Sequence, residues 1–156
     1  MSSAVHPLHE TAHEVGLQAS QTLAGDSHGL LDTSVVIDYD LVDASDLPEL
    51  SAVSAITIAE LTVGPLAAGQ DDEERARRQD RLQWAAATWD PLPFNSAAAR
   101  AYGRIYSALL ARGPVGRRRL ADLLIAAVAL ANDLPLYTRN AADLRGLEEL
   151  LTVRAM

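Results

Sequence analysis

The chain contains no cysteine and no lysine. The first absence excludes disulfides, thiolate zinc sites and a cysteine nucleophile. Aromatic residues amount to only 4%, so Leu, Val, Ile and Ala must fill the interior. No apolar run approaches the roughly 18 residues that suggest a membrane span. The longest, Leu123 to Ala131, has the length of a buried helix segment. The N-terminus shows no basic patch ahead of an apolar stretch, so it does not read as a secretory signal, and a cytoplasmic location is expected. What is present is 156 residues, 49% hydrophobic and 22% charged, the size and balance of one globular domain.

Positive charge is also short, with a formal net charge of −8. A protein that binds phosphates through its overall field is expected to be basic. The distribution softens that objection. All 13 basic residues are arginine, whose planar fork matches phosphate oxygens better than an ammonium does. Arg75, Arg77, Arg78 and Arg81 are interleaved with Asp71, Asp72, Glu73, Glu74 and Asp80 and read as a solvated helix face. Arg117, Arg118 and Arg119 have no acidic neighbour until Asp122 and are the better candidates for a phosphate contact.

Residues 1–28 carry all four histidines and no arginine, and read as a flexible N-terminal extension ahead of a globular domain over 29–156. Within them His9-Glu10-Thr11-Ala12-His13 matches HExxH, in which two histidines at i, i+4 share a helix face and a zinc ion. Gly16 extends the match, but Ala19 stands where the third ligand of the longer form belongs. The surround is polar, with no core to hold such a helix rigid. A zinc metalloprotease is the remote alternative.

From Gly29 onward strands and helices alternate. Leu30-Leu31 suggests a buried strand leading into a helix through Val35-Val36-Ile37. Residues 52–56 suggest a second strand, followed by a helix through Glu60 that stops near Gly64-Pro65. Amphipathic helices are expected over 71–89 and 96–112, and a helix apolar on nearly every side over 120–132. Residues 134–138 and 151–153 read as further strands. Alternation of this kind implies an α/β domain, a mainly parallel sheet covered by helices on both faces.

Four carboxylates stand at informative places. Asp32 follows the first strand, where open parallel sheets gather their sites, and equally suits a helix N-cap. Glu60 lies in Thr57-Ile58-Ala59-Glu60, a fit to the capping box. Asp122 opens the buried helix, where the helix dipole favours a carboxylate but burial without a partner raises its pKa. Asp143 follows the strand ending at Thr138 and suits a turn or cap, with Asn140 a rival nearer the strand end. If the sheet is parallel, the four can converge on one edge. Their mutual repulsion would favour a divalent cation, and oxygen ligands without Cys or His suit Mg²⁺ or Mn²⁺ rather than zinc.

The segments around these acids resemble, in order, the motifs of PIN-domain nucleases. They are Leu30 to Asp38, Ser54 to Leu61 with Gly64, Leu120 to Ala127, and Leu136 to Asn140 with Asp143-Leu144. The ordered set, running from Gly29 to the C-terminus, is similar to the toxin ribonucleases of VapBC toxin–antitoxin pairs. The resemblance implies a PIN-like three-layer α/β/α fold and a Mg²⁺-dependent endoribonuclease that hydrolyses RNA by metal-activated water. It implies Asp32 and Asp122 as metal ligands, Glu60 and Asp143 as the further catalytic acids, and Thr33, Ser34, Thr138 and Asn140 as polar support. It also implies a cognate antitoxin, with the helices over 71–89 and 96–112 as the candidate groove, and a homodimer. Leu144 stands where an aromatic is common in the family, and the 28-residue extension is absent from a typical member. The contrasting reading is a PIN-like domain that binds RNA or protein without cutting.

Overall fold

The computed structural model describes residues 26–156. The HExxH segment lies outside the described residues, as does most of the proposed extension.

Strand β1, His28–Leu31, shows the period of two that builds the whole domain. Leu30 and Leu31 are both fully buried, yet they point to opposite faces of the sheet. Leu30 joins a large core with Ala98, Ile105, Leu123, Ala126 and Leu136. Leu31 joins a smaller one with Val35, Val36, Val53, Leu61 and Tyr137. The two cores are the two interlayer spaces of an α/β/α sandwich. His28 pairs with Leu50, and Asp26 accepts hydrogen bonds from Tyr137 Oη at 2.9 Å and Arg154 Nε at 2.7 Å.

The four strands are parallel throughout, in the order β2-β1-β3-β4, with β2 at Leu50–Ala52, β3 at Leu136–Thr138 and β4 at Val153–Ala155. The chain leaves β1 toward β2 on one side and later returns to β3 on the other. Such a divergence opens a crevice beyond the carboxyl ends of the central strands. Helix α1 (Thr33–Ile37) follows β1, and α2 (Ala55–Val63) follows β2. Helix α3 (Asp72–Thr88) packs on α2, and α4 (Ser96–Leu110) packs on α5 (Leu120–Ala131). In α5, residues Ile125 to Ala129 are all fully buried; the small alanines there let helix and sheet approach closely. Among the described residues, no helix is long and apolar enough to cross a membrane.

Two strands are displaced from their expected places. β2 ends at Ala52 because Ser54 caps α2, its hydroxyl accepting from Thr57 N at 3.2 Å. Val53 and Ala55 instead bond to the backbone of Leu92. β4 starts at Val153 because Leu151 is drawn into the larger core ahead of it.

Candidate active site

Asp32 occupies the N-cap position of α1, but its side chain makes no cap hydrogen bond. The residue is 4% exposed, and Oδ2 instead accepts from Ser34 Oγ and from Thr138 Oγ1, both at 2.8 Å. Thr138 is the last residue of β3, so the neighbouring strand end holds the carboxylate in place. Among the described residues Oδ1 receives no hydrogen bond, which leaves one oxygen free to meet a ligand. The N-cap location is thus correct, and its capping role is not the one this side chain performs.

Glu60 is not the acid of a capping box. Ser54 is the N-cap, and Thr57, not Glu60, stands three residues on. Glu60 lies in the second turn of α2, exposed, with Oε1 accepting from Thr33 Oγ1 at 2.7 Å. Thr33 also shares a hydrogen bond with Thr57 Oγ1 at 3.0 Å. Thr57 is fully buried and was not singled out for the site from sequence. Its signal was there: at three residues before Glu60 it shares that residue's helix face.

Asp122 is in the first turn of α5, half-buried, and no described residue donates a hydrogen bond to its carboxylate. Burial first, and then the negative charges of Asp32, Glu60 and Asp143, together raise its pKa to about 6, against an opposing effect of Arg119. Asp32, Glu60 and Asp143, carried at or beyond the ends of β1, α2 and β3, are thus each near enough for their charge to act on Asp122. A cluster of like charges with only one nearby guanidinium has a deficit of positive charge. As they stand, no three histidine or carboxylate side chains among the described residues are gathered tightly enough to hold a metal ion. The donors themselves are all oxygen, the chemistry that Mg²⁺ takes.

The profile of the PIN domain matches residues 30–145. The chain belongs to the PIN-domain family. Ribonuclease VapC5 of Mycobacterium tuberculosis (strain ATCC 25618 / H37Rv) is 39% identical over 115 residues, covering 72% of this chain and 82% of that protein. Ribonuclease VapC8 of M. tuberculosis (strain CDC 1551 / Oshkosh) is 43% identical over 102 residues, covering 65% and 89%. Among solved structures, VapBC-5 of M. tuberculosis, a member of the VapBC family of toxin–antitoxin systems, superposes with a TM-score of 0.71 at 35% identity, over 83% of this chain and 98% of that one. FitAcB from Neisseria gonorrhoeae gives 0.60 at 27% identity, over 80% and 94%.

Within this PIN domain the rivalry between Asp143 and Asn140 has a geometric side. Asp143, in the turn Ala141–Leu144, is close enough to raise the pKa of Asp122. Asn140 uses its backbone N–H, bonding Thr138 Oγ1 at 3.0 Å, while its side chain is exposed without a described partner. Ser34 is drawn in by two bonds, donating to Asp32 and accepting from Arg139 N at 3.2 Å.

The arginine triplet divides. Arg117 and Arg118 are exposed, in a 3₁₀ turn before α5. Arg119 turns inward and lies 3.9 Å from Asp143 Oδ1. The first arginine cluster of the PIN domain behaves as the sequence suggested: Arg75, Arg77 and Arg78 pair with Asp72 and Glu74 along α3. Arg81 departs from that surface role. It reaches Asp40 at 2.6 Å and lies over the Trp84 ring.

Proposed function

We propose that this PIN domain is a Mg²⁺-dependent endoribonuclease, the toxin of a type II toxin–antitoxin pair. The observation that carries the reading is Asp122, a half-buried carboxylate with no hydrogen-bond donor among the described residues and with three other acids near enough for their charge to act on it. The names of its relatives, ribonucleases VapC5 and VapC8, support RNA as the substrate.

Asp32 and Asp122 would hold the ion, Asp32 through the oxygen not committed to Ser34 and Thr138. Bound Mg²⁺ stabilises charge on the scissile phosphate and lowers the pKa of a water. Glu60 or Asp143 accepts a proton from the attacking water. Thr33 and Thr57 fix the direction of the Glu60 carboxylate, and Thr138 and Ser34 fix that of Asp32. In-line attack leaves a 5′-phosphate and a 3′-hydroxyl. Arg117 and Arg118 contact phosphates beside the site, and Arg119 balances Asp143. Mn²⁺ suits the same donors.

For the antitoxin, a cleft beside α3, one of the two helices expected to supply the groove, supports the reading. A cleft of ≈ 810 Å³ lies between α1, α2 and α3, lined by Ile37, Leu61 and Trp84 and by Arg77, Arg78 and Arg81 with the acids Asp40, Glu74 and Asp80. It reaches Thr33 and Glu60 at the site, and α4 takes no part in it. A partner helix with an apolar face fits such a cleft. The exposed Tyr106, Leu110 and Leu120 offer a separate surface for a second copy of the chain.

Purified protein is incubated with total RNA, with and without Mg²⁺, beside Asp32→Asn and Asp122→Asn, and new 5′ ends are mapped. Cleavage by the wild type alone, dependent on Mg²⁺ and leaving 5′-phosphates, is expected. Full activity in EDTA or in either variant overturns the reading, and binding without cleavage supports the non-catalytic alternative.

A further inference from the structure

The arginines of this chain fall into two populations. Those on α3, together with Arg119, Arg139 and Arg154, all have carboxylate partners. Arg100, Arg104, Arg112, Arg117, Arg118 and Arg145 form no ion pair among the described residues. These six are confined to α4, the loop that follows it, and the residue two beyond Asp143. In a chain of net charge −8, such segregation concentrates positive charge on α4 and the segments beside it, where Glu148 feels the charges of Arg112 and Arg145.

That surface has a defined shape. An open groove of ≈ 630 Å³ runs between α4 and residues 146–150, lined by Arg100, Gly103, Arg104, Ser107 and, on the far wall, Glu149 and Leu150. At 100° per residue, Arg100, Arg104 and Ser107 share one flank of α4, while Tyr106 and Leu110 occupy the other. Gly103 lies between them in the helix interior, where glycine is destabilising relative to alanine. No neighbour explains it, because a Cβ there would meet nothing within 4 Å. The bare backbone keeps the groove floor flat.

The groove also has a direction. Its near end is Gly146, whose φ of +97° suits glycine, and Arg112 lies against it so closely that a Cβ would come 2.6 Å from Arg112 Cδ. Glu148 is occupied there by Gly146 N, at 2.9 Å. Asp143 is three residues from Gly146. The arginines thus lead away from the four acids: Arg145 and Arg112 first, then Arg104 and, about 6 Å further along the helix, Arg100.

We propose that this flank of α4 holds the phosphate backbone of single-stranded RNA on one side of the scissile bond, with Arg104 and Arg100 as distal phosphate contacts. This rests on the nuclease reading above for the identity of the polyanion. The guanidinium forks bind phosphate oxygens, the Ser107 hydroxyl supplies a further donor, and the glycine floor admits the strand. Glu149 on the far wall disfavours a strand that strays from the arginine side.

The test uses full-length protein carrying Asp32→Asn, so that RNA stays intact, and labelled RNAs of about six and about 20 nucleotides. Affinity is measured over a range of salt concentrations. Adding Arg100→Gln and Arg104→Gln should weaken binding of the longer RNA roughly tenfold and flatten its salt slope by about 1.4, two contacts at ~0.7 each. Lysine at both places should restore most of the slope. Arg75→Gln with Arg77→Gln, on the paired face, should leave it unchanged. Unchanged affinity and slope in the α4 variant, or an equal loss in the α3 variant, overturns the proposal. Because cleavage is not the readout, failure of the nuclease reading shows separately, as a wild type that binds RNA and does not cut it.

Discussion

Thr138 Oγ1 donates to Asp32 Oδ2 at 2.8 Å and joins two strand ends separated by 106 residues of chain. The same oxygen accepts from Asn140 N at 3.0 Å, so one hydroxyl aims the Asp32 carboxylate and shapes the turn that carries Asp143. Thr138→Val keeps the shape and removes both bonds. Partners that orient a ligand carboxylate typically contribute 10- to 100-fold in metal affinity or activity. The expected outcome is a loss of about that size in cleavage rate and in Mg²⁺ affinity, with a stability loss of about 1–2 kcal/mol. Urea melts and metal titration check it; wild-type Mg²⁺ affinity in the variant would remove Thr138 from the site.

The pKa of Asp122 makes a signed prediction about stability. Burial and three neighbouring acids raise it from 3.8 to about 6 in the folded protein, whereas the unfolded chain keeps a value near 3.9. The folded state therefore binds this proton more tightly. Its contribution to stability is fully present below about pH 4 and is lost as the pH rises through about 6. The full shift corresponds to about 3 kcal/mol, and the half-exposed setting reduces that to about 1 kcal/mol. In metal-free buffer, the stability gained by Asp122→Asn should grow between pH 4 and pH 7, read as the difference between two series of urea melts. A gain independent of pH would mean that neither burial nor the neighbouring acids raises this pKa. Mg²⁺ at pH 7 should then stabilise the wild type more than the variant.

Much of this arrangement was legible in the sequence, and the exceptions have physical causes. Leu30-Leu31 followed by Asp32 identified a buried strand and its exit, because both faces of a central parallel strand must be apolar. Asp122 was legible for the opposite reason, as a charge among residues that bury. Glu60 was obscured because Thr57-Ile58-Ala59-Glu60 imitates a capping box. Only the hydroxyl of Ser54 bonding Thr57 N shows where α2 begins. The β2 strand was placed too late because Val53 and Ile56 continue the apolar run past the end of the ladder. The Arg119–Asp143 pair spans elements that no local pattern connects.

That pair supports a prediction on the acid limb of activity. Arg119 is the one positive charge that lowers the pKa of Asp122. Arg119→Ala should raise that pKa further, so protons compete with Mg²⁺ up to a higher pH. The acid limb of the cleavage rate should move to higher pH, and the Mg²⁺ concentration needed at pH 6 should rise. Arg119→Lys should restore most of both. A uniform loss of rate with an unshifted limb would instead assign Arg119 to RNA contact alone.

Gly29 and Tyr137 set a last, purely structural test beneath the site. A Cβ on Gly29 would lie 2.4 Å from Tyr137 Cε2 and 2.8 Å from Cδ2, with Pro48 Cγ at 3.0 Å on the other side. The ring cannot swing away freely, since its hydroxyl is held by Asp26 at 2.9 Å and the residue is 4% exposed. Overpacking of this kind costs about 1–3 kcal/mol, so Gly29→Ala should lower stability by that amount. β1 and β3 would be forced apart one turn of pleat below Asp32 and Thr138, and cleavage should fall along with stability. Tyr137→Leu removes the opposing ring edge at its own cost in packing. In that background Gly29→Ala should cost at least 0.5 kcal/mol less, the coupling expected of residues in direct contact. Additive effects in the double-mutant cycle would mean that the close approach of β1 to the Tyr137 ring is not what requires glycine at residue 29.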